Sequence, residues 1–223
     1  MTTLFRRATA AAAVLLAMGG MIGAHARPVS YPDAWTLQLF NEARRNAALA
    51  HYTFTPRTAL GLRVEDRLYA DHTFVGVQAN HLLRRWNAPG SQANLYLKTA
   101  LGAADGAFNA GSNETSAAGF ARVDADWENR RLFVSGGYGA YAVEGQAFRE
   151  LTGRIGIAPY VAEYGSLHTW AMIQIDHRPD ALEAQGAEIF TVTPLLRFFK
   201  GPALLEVGYS TNDEALVNFT YRF

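Results

Sequence analysis

Asp124-Ala-Asp126-Trp-Glu128 sets three carboxylates at every second position, a pattern that invites a search for a cation site or an acid–base pair. Alternate residues of an extended chain share one face and stand about 7 Å apart per step. That spacing is too long for a shared proton, and such a row suits basic partners on neighbouring strands better. The histidines add little. His51 and His168 fall on the polar parity of their segments and His81 on the apolar one, while His72 and His177 lie near connections. Met172 shares a face with His168, yet no His-x-His spacing exists and there is no cysteine, so no metal site is expected. The lack of cysteine also removes disulfides and thiolate nucleophiles. None of the serines at 30, 91, 112, 116, 135, 166 and 210 sits in a recognisable His–Ser motif, and Ser210-Thr-Asn-Asp213 lacks a histidine base. Gly136-Gly137-Tyr138-Gly139 has no strand-to-helix context that would make it a phosphate loop. No catalytic residue and no cofactor is expected.

What remains is a set of charges on one face. Arg63, Lys98, Arg122, Arg154, Arg197 and Arg222 alternate with apolar residues, and so do Glu65, Asp124, Asp126, Glu128, Asp176 and Glu206. Six bases against six acids predict mutual pairing across strands, because an unpaired charge in a low-dielectric shell is costly. The whole chain of 223 residues balances 20 basic against 20 acidic side chains, which gives no reason to expect nucleic acid as a partner.

The elements that carry these charges are strands. Hydrophobic residues make up 49% of the chain, yet mean hydropathy is −0.05, so apolar residues are dispersed rather than gathered in a run of ~18 that would span a membrane as a helix. Period-two alternation recurs: Trp35, Leu37 and Leu39; Leu60, Leu62 and Val64; Ala121, Val123, Ala125 and Trp127; Thr169, Ala171, Ile173 and Ile175. It predicts twelve strands. Tight turns are expected at 55–58, 128–131 and 199–202, longer polar connections at 104–116 and 177–186, and unusually long ones at 87–92 and 158–166. Asn41–Ala50 is compatible with a short helix, and Pro194 with Leu195-Leu196 blurs the parity of 188–199.

Both ends of the chain carry further signals. Arg6-Arg7, the small and apolar stretch Ala8–Gly23, and Ala24-His25-Ala26 read as an export signal cleaved after residue 26, leaving 27–223 as one domain. The last segment runs Ala215, Val217, Phe219, Tyr221, Phe223 at every second position. It resembles the C-terminal assembly signal of Gram-negative outer-membrane β-barrels. That resemblance implies an all-β, antiparallel up-and-down transmembrane barrel in the outer membrane, with Val217, Phe219, Tyr221 and Phe223 read by the barrel-assembly machinery and the lipid bilayer as its surroundings. Aromatic residues end the descending strands at Phe54, Trp86, Trp127, Tyr160 and Phe199, the places where a membrane-interface girdle is expected.

Twelve strands fall between the eight that side chains fill and the sixteen or more that leave an open channel. The polar inner face, with glycine at 61, 76, 102, 137, 156 and 208, predicts passive, weakly selective passage of small polar solutes or ions. An even split of inward charge argues against strong ion preference. The rival class is a non-conducting barrel that serves as a scaffold or displays loops such as 104–116, and a lipid-modifying enzyme ranks below both.

Overall fold

The computed structural model describes residues 28–29, 31–42, 44–68, 70–109, 112–163, 165–180 and 190–223, with side chains at 107–109 and 112–114 outside the description. The predicted export signal, 1–26, lies outside these residues. Twelve strands follow one another: β1 Trp35–Glu42, β2 Arg45–Thr55, β3 Thr58–Arg67, β4 His72–Ala88, β5 Ser91–Asn109, β6 Ser112–Asn129, β7 Leu132–Val143, β8 Gln146–Ile157, β9 His168–His177, β10 Phe190–Lys200, β11 Ala203–Tyr209 and β12 Ala215–Arg222. Each pairs antiparallel with the next, and β1 pairs with β12, so the sheet closes on itself. Closure satisfies the backbone groups that an open edge would leave exposed.

Local chemistry sets the hairpins. Glu144 and Gly145 both adopt positive φ, 49° and 73°, giving the two-residue turn whose twist matches that of β7 and β8. Pro89-Gly90 turns β4 directly into β5, with Gly90 at φ 79°, so 87–92 is tight rather than long. Asn41–Ala50 forms the β1–β2 hairpin instead of a helix: Leu39 faces Ala48 and Asn41 faces Asn46 across it. The stretch 104–116, expected as a loop, is mostly strand. β5 and β6 continue through it, with Ala104 opposite Ser116 and Gly106 opposite Glu114. The expected loop 158–166 does connect β8 to β9.

Strand parity separates two surfaces. Leu62, Val75, Leu101, Val134, Ile155, Ile173, Leu196 and Val217 all point outward and are exposed. Every one of the twelve strands contributes at least one exposed large apolar side chain. A continuous apolar ring far exceeds the patches of a few hundred Å² that water-facing monomers tolerate, and it suits hydrocarbon. No helix among the described residues is long and apolar enough to cross a membrane.

Of the expected girdle, Phe54, Trp86, Trp127 and Tyr160 are exposed outside. Phe199 is not part of it. Pro194 and Leu196 take the outward positions of β10 and Leu195 is buried, so Arg197 and Phe199 both face the lumen. The Phe199 ring approaches His168 at 6.1 Å.

The wall is uneven in height. β4, β5 and β6 have 17, 19 and 18 residues, whereas β11, β12 and β1 have 7, 8 and 8. The seam lies in the short part. Trp35 and Phe223 exchange backbone hydrogen bonds, 2.9 Å from Trp35 N to Phe223 O and 3.1 Å from Phe223 N to Trp35 O. The rings of Phe219, Tyr221 and Phe223 form a ladder at 6.4 and 6.2 Å.

Deleting Phe223 removes two hydrogen bonds from an eight-residue seam strand, whereas Phe54→Ala removes only a side chain. The deletion is expected to lower the yield of folded, heat-modifiable barrel several-fold, with Phe54→Ala close to wild type; equal losses in a gel-shift assay would contradict this.

Candidate functional site in the barrel lumen

Inward-facing side chains meet across the lumen near the end that carries the β1–β2 and β7–β8 hairpins, the hairpin end, opposite the seam end of Trp35 and Phe223. Arg45 leaves β2 and reaches Glu150 of β8 at 3.1 Å. In the ring order these strands stand six places apart in either direction, so the pair spans the full width of the barrel. Glu150 also receives Arg122 of β6 at 3.2 Å and Arg178, just beyond β9, at 2.9 Å. Arg45 is in turn bonded to Glu42 of β1.

The same motif repeats around this centre. Glu65 accepts from Arg63 at 2.6 Å and Arg67 at 3.1 Å. Glu206 accepts from Arg154 at 3.0 Å and Arg197 at 2.8 Å. Asn218 donates to both Glu42 and Glu206 at 3.0 Å, which ties the two groups together. Hydrogen bonds to ionised groups are shorter and stronger than neutral ones. Here they also remove the desolvation cost that a lone buried carboxylate would carry.

Aromatic packing seals the rest of the hairpin end. His72 stacks on Tyr141 at 5.0 Å and meets Phe148 at 5.8 Å, while the Arg67 guanidinium lies 3.9 Å over the Tyr141 ring. Ala70, Phe74, Ala104, Ala118 and Val143 are buried in the same cluster.

Below this ceiling is a cavity of about 800 Å³. Its lining runs from Glu42, Arg45, Arg67, Tyr141 and Glu150 down to Pro56, Gly90, Ser91, Asn129 and Phe199 at the seam end. Ala70, His72, Val143, Asp176, Arg178, Thr191 and Leu216 belong to the ceiling: they are buried and do not line the cavity. Among the described residues, the lumen is therefore open at the seam end and closed at the hairpin end. The segment before β1 enters that open mouth. Val29 is buried against Leu82 and Tyr96, Asn80 donates to the Pro28 carbonyl at 3.1 Å, and Tyr31 and Pro32 line the opening.

The sequence-derived lumen set all faces inward, in two layers. Arg63, Lys98, Arg122, Asp124, Asp126, Arg154, Arg197, Glu206 and Arg222 line the cavity, whereas Glu65 and Asp176 are buried in the ceiling. Asp124 meets Lys98 at 3.0 Å and Arg122 at 2.7 Å, and Asp126 accepts from Asn94 at 2.7 Å. No group of three or more His, Asp or Glu among the described residues is placed to hold a metal.

Sequence reasoning missed Glu42, Arg45, Arg67, Glu150 and Arg178, the centre of the network. Two of them were within reach of the same parity argument: Arg67 continues Arg63 and Glu65, and Glu150 continues Arg154 backwards. Among the described residues that line the cavity, ten are basic and six are acidic, with Glu65 and Asp176 buried above them in the ceiling; one carboxylate commonly serves two or three guanidiniums.

Glycine has a different role from the one expected. Gly76 and Gly208 do not line the cavity. A Cβ at Gly76 would stand 2.4 Å from the Phe74 ring, and one at Gly208 would stand 2.7 Å from the Leu195 side chain. These glycines relieve crowding against the wall and do not keep a bore clear. Gly137 does line the cavity, and a Cβ there would meet Asp124 at 2.0 Å and Arg122 at 2.4 Å. Its bareness lets that ion pair lie flat on β7.

Outside the apolar ring, Asp180 accepts three hydrogen bonds from Arg149: from its backbone N at 2.7 Å, Nε at 2.8 Å and Nη2 at 2.6 Å. These bonds lower the Asp180 carboxyl from 3.8 to about 2.

A scan against models of protein families finds no match, and neither does a search of characterised proteins. Among solved structures, the chain is similar to the translocator domain of autotransporter NalP from Neisseria meningitidis, at 10% identity and a TM-score of 0.39, over 100% of this chain and 95% of that one. It is also similar to OmpTdeltaL8, a loop L8 deletion mutant of the Vibrio cholerae outer membrane protein OmpT, at 12% identity and a TM-score of 0.29, over 85% and 96%. The barrel assignment rests on the strand pairing described above.

Glu150→Gln leaves three guanidiniums competing for a neutral amide, and it is expected to destabilise the barrel by roughly 3–5 kcal/mol, the usual cost of breaking a buried pair. Asp126→Asn, which keeps an acceptor for Asn94, is expected to cost under about 1 kcal/mol; reversible urea unfolding in lipid vesicles measures both. Because the Asp180 carboxyl is depressed in the folded state, the Arg149 tether is fully present above the ordinary value of 3.8 and is lost as pH falls through about 2. Protection of the Arg149 amide against hydrogen exchange is expected to follow that course and to be absent in Asp180→Asn at neutral pH.

Proposed function

We propose that the protein is an outer-membrane barrel giving passive passage to small polar solutes or ions, gated by the ionic ceiling and closed in the conformation described. The observation that carries this reading is the Arg45–Glu150 pair across the full lumen. The closure consists of side chains, and among the described residues no polypeptide segment crosses the barrel at that level. Side-chain ion pairs can exchange partners without unfolding a strand. Water entering from the cavity would weaken each pair, since the same charges attract one another far less in high dielectric.

The location is supported by the apolar ring, by the resemblance of 215–223 to the outer-membrane assembly signal and by the export signal read at 1–26. In that setting the seam end faces the periplasm and the hairpins face outward. The lipid bilayer is the partner of the outer face, and the barrel-assembly machinery is the partner of β12 during biogenesis.

Single-channel recording in planar bilayers tests this. Wild type is expected to show rare, brief openings, and Arg45→Ser combined with Glu150→Gln to show at least a several-fold higher open probability. Silence from both proteins, with folding verified in the same preparations, would favour a non-conducting scaffold instead.

A further inference from the structure

The wall of the cavity beside β7–β10 differs from the rest of the lining in carrying rings and guanidiniums together. Phe133 of β7 and Trp170 of β9 point inward with ring centroids 6.4 Å apart, edge to face. Arg197 lies directly opposite Trp170 in the β9–β10 register, and its guanidinium sits 4.8 Å over the Phe133 ring. Arg154 lies opposite Ser135 in the β7–β8 register. All five residues line the cavity.

The two arginines converge on a single acceptor, Oε1 of Glu206, at 3.0 and 2.8 Å. Arg154 uses Nε for Gln174 and Nη1 for Glu206. Its Nη2 stands 3.8 Å from Glu42, beyond hydrogen-bonding distance. Arg197 directs Nε and Nη2 to Glu206, leaving Nη1 without an acceptor among the described residues. Their side chains are only 16% and 15% exposed. Planar donors that have been largely desolvated, are held in place by rings, and exceed the acceptors offered to them form a receptor for an oxyanion. Among the described lining residues, ten basic against six acidic ones add a favourable field.

From this arrangement we infer that the β7–β10 wall is a binding site for a small planar carboxylate, entered from the seam end. The carboxylate takes the spare donors of Arg154 and Arg197, with Ser135 beside them, and the flat apolar body lies along Trp170 and Phe133. The cavity of about 800 Å³ falls within the ordinary range for small-molecule sites. Occupancy requires only the open end of the lumen, so this inference does not depend on passage through the ceiling.

The test is calorimetric titration of the purified full-length barrel in detergent with benzoate, inorganic phosphate and benzyl alcohol. Benzoate is expected to bind saturably and at least tenfold more tightly than phosphate, which lacks the ring, or benzyl alcohol, which lacks the charge. Arg197→Gln and Trp170→Leu are each expected to lose about tenfold in benzoate affinity. Arg197→Lys, which keeps the charge and loses the planar fork, is expected to lose less than Arg197→Gln but to remain below wild type. Heat-modifiable migration confirms folding of each variant, and if Arg197→Gln does not fold, Trp170→Leu and Arg197→Lys decide the matter. No saturable benzoate binding, benzoate no tighter than either comparison compound, or unchanged affinity in the folded variants would overturn the inference.

Discussion

Glu150 receives Arg45, Arg122 and Arg178 from three separate parts of the wall, and the interior is arranged around the scarcity of carboxylates that this implies. A buried acid with three guanidiniums is well compensated, and two of those guanidiniums also turn to a second acid, Arg45 to Glu42 and Arg122 to Asp124. The sharing continues outward. Arg45 turns to Glu42, Glu42 shares Asn218 with Glu206, and Glu206 collects Arg154 and Arg197. The chain of bonds begins at β2 and crosses to β8, then returns through β1 and β12 to β11 and β10. Closure of the lumen and cohesion of the ceiling are thus one feature, since removing an acid releases donors on several strands.

Aromatic rings and bare backbone make that arrangement possible. Guanidiniums already bonded to acids also lie over rings: Arg67 over Tyr141, Arg63 over Phe120 and Arg197 over Phe133. Each such stack offers attraction from the ring face without demanding another buried charge. Gly137 provides the clearance that Arg122 and Asp124 need against β7. The uneven distribution follows: tight packing near the hairpins, an open cavity near the seam.

Much of the architecture could be read from the sequence because period two is a rigid rule in strands. Knowing that Leu62 faces out fixes Arg63 as facing in. Position at a strand end is a weaker guide: it puts Phe199 in the girdle, although Phe199 shares the parity of the inward Arg197. Connections were harder, because composition alone does not distinguish a polar loop from a strand that outgrows its neighbours. Residues 104–106 and 114–116 are small or polar yet paired, since β5 and β6 support each other there. The site itself was the least legible part. Parity shows that Arg45 and Glu150 face inward, but only closure of the ring shows that they face each other, 105 positions apart in the chain. Nor does a count of six bases and six acids reveal that single acids serve several bases.

The uneven wall has a consequence for the medium around it. Strands of 8 residues at the seam, rising about 3.3 Å per residue and tilted by about 40°, cover roughly 20 Å. That falls short of the ~30 Å hydrocarbon thickness of an ordinary bilayer, whereas β5 with 19 residues exceeds it. Leaflets meeting such a barrel must pinch together along one flank while remaining relaxed along the other, and acyl chains near the Trp35–Phe223 junction are left shortened and splayed. In the setting proposed above, the protein therefore carries a lopsided dent in the membrane with it. A lopsided dent gives the molecule a direction in the plane, since neighbouring inclusions that also thin the bilayer lower the shared deformation by drifting towards the seam flank.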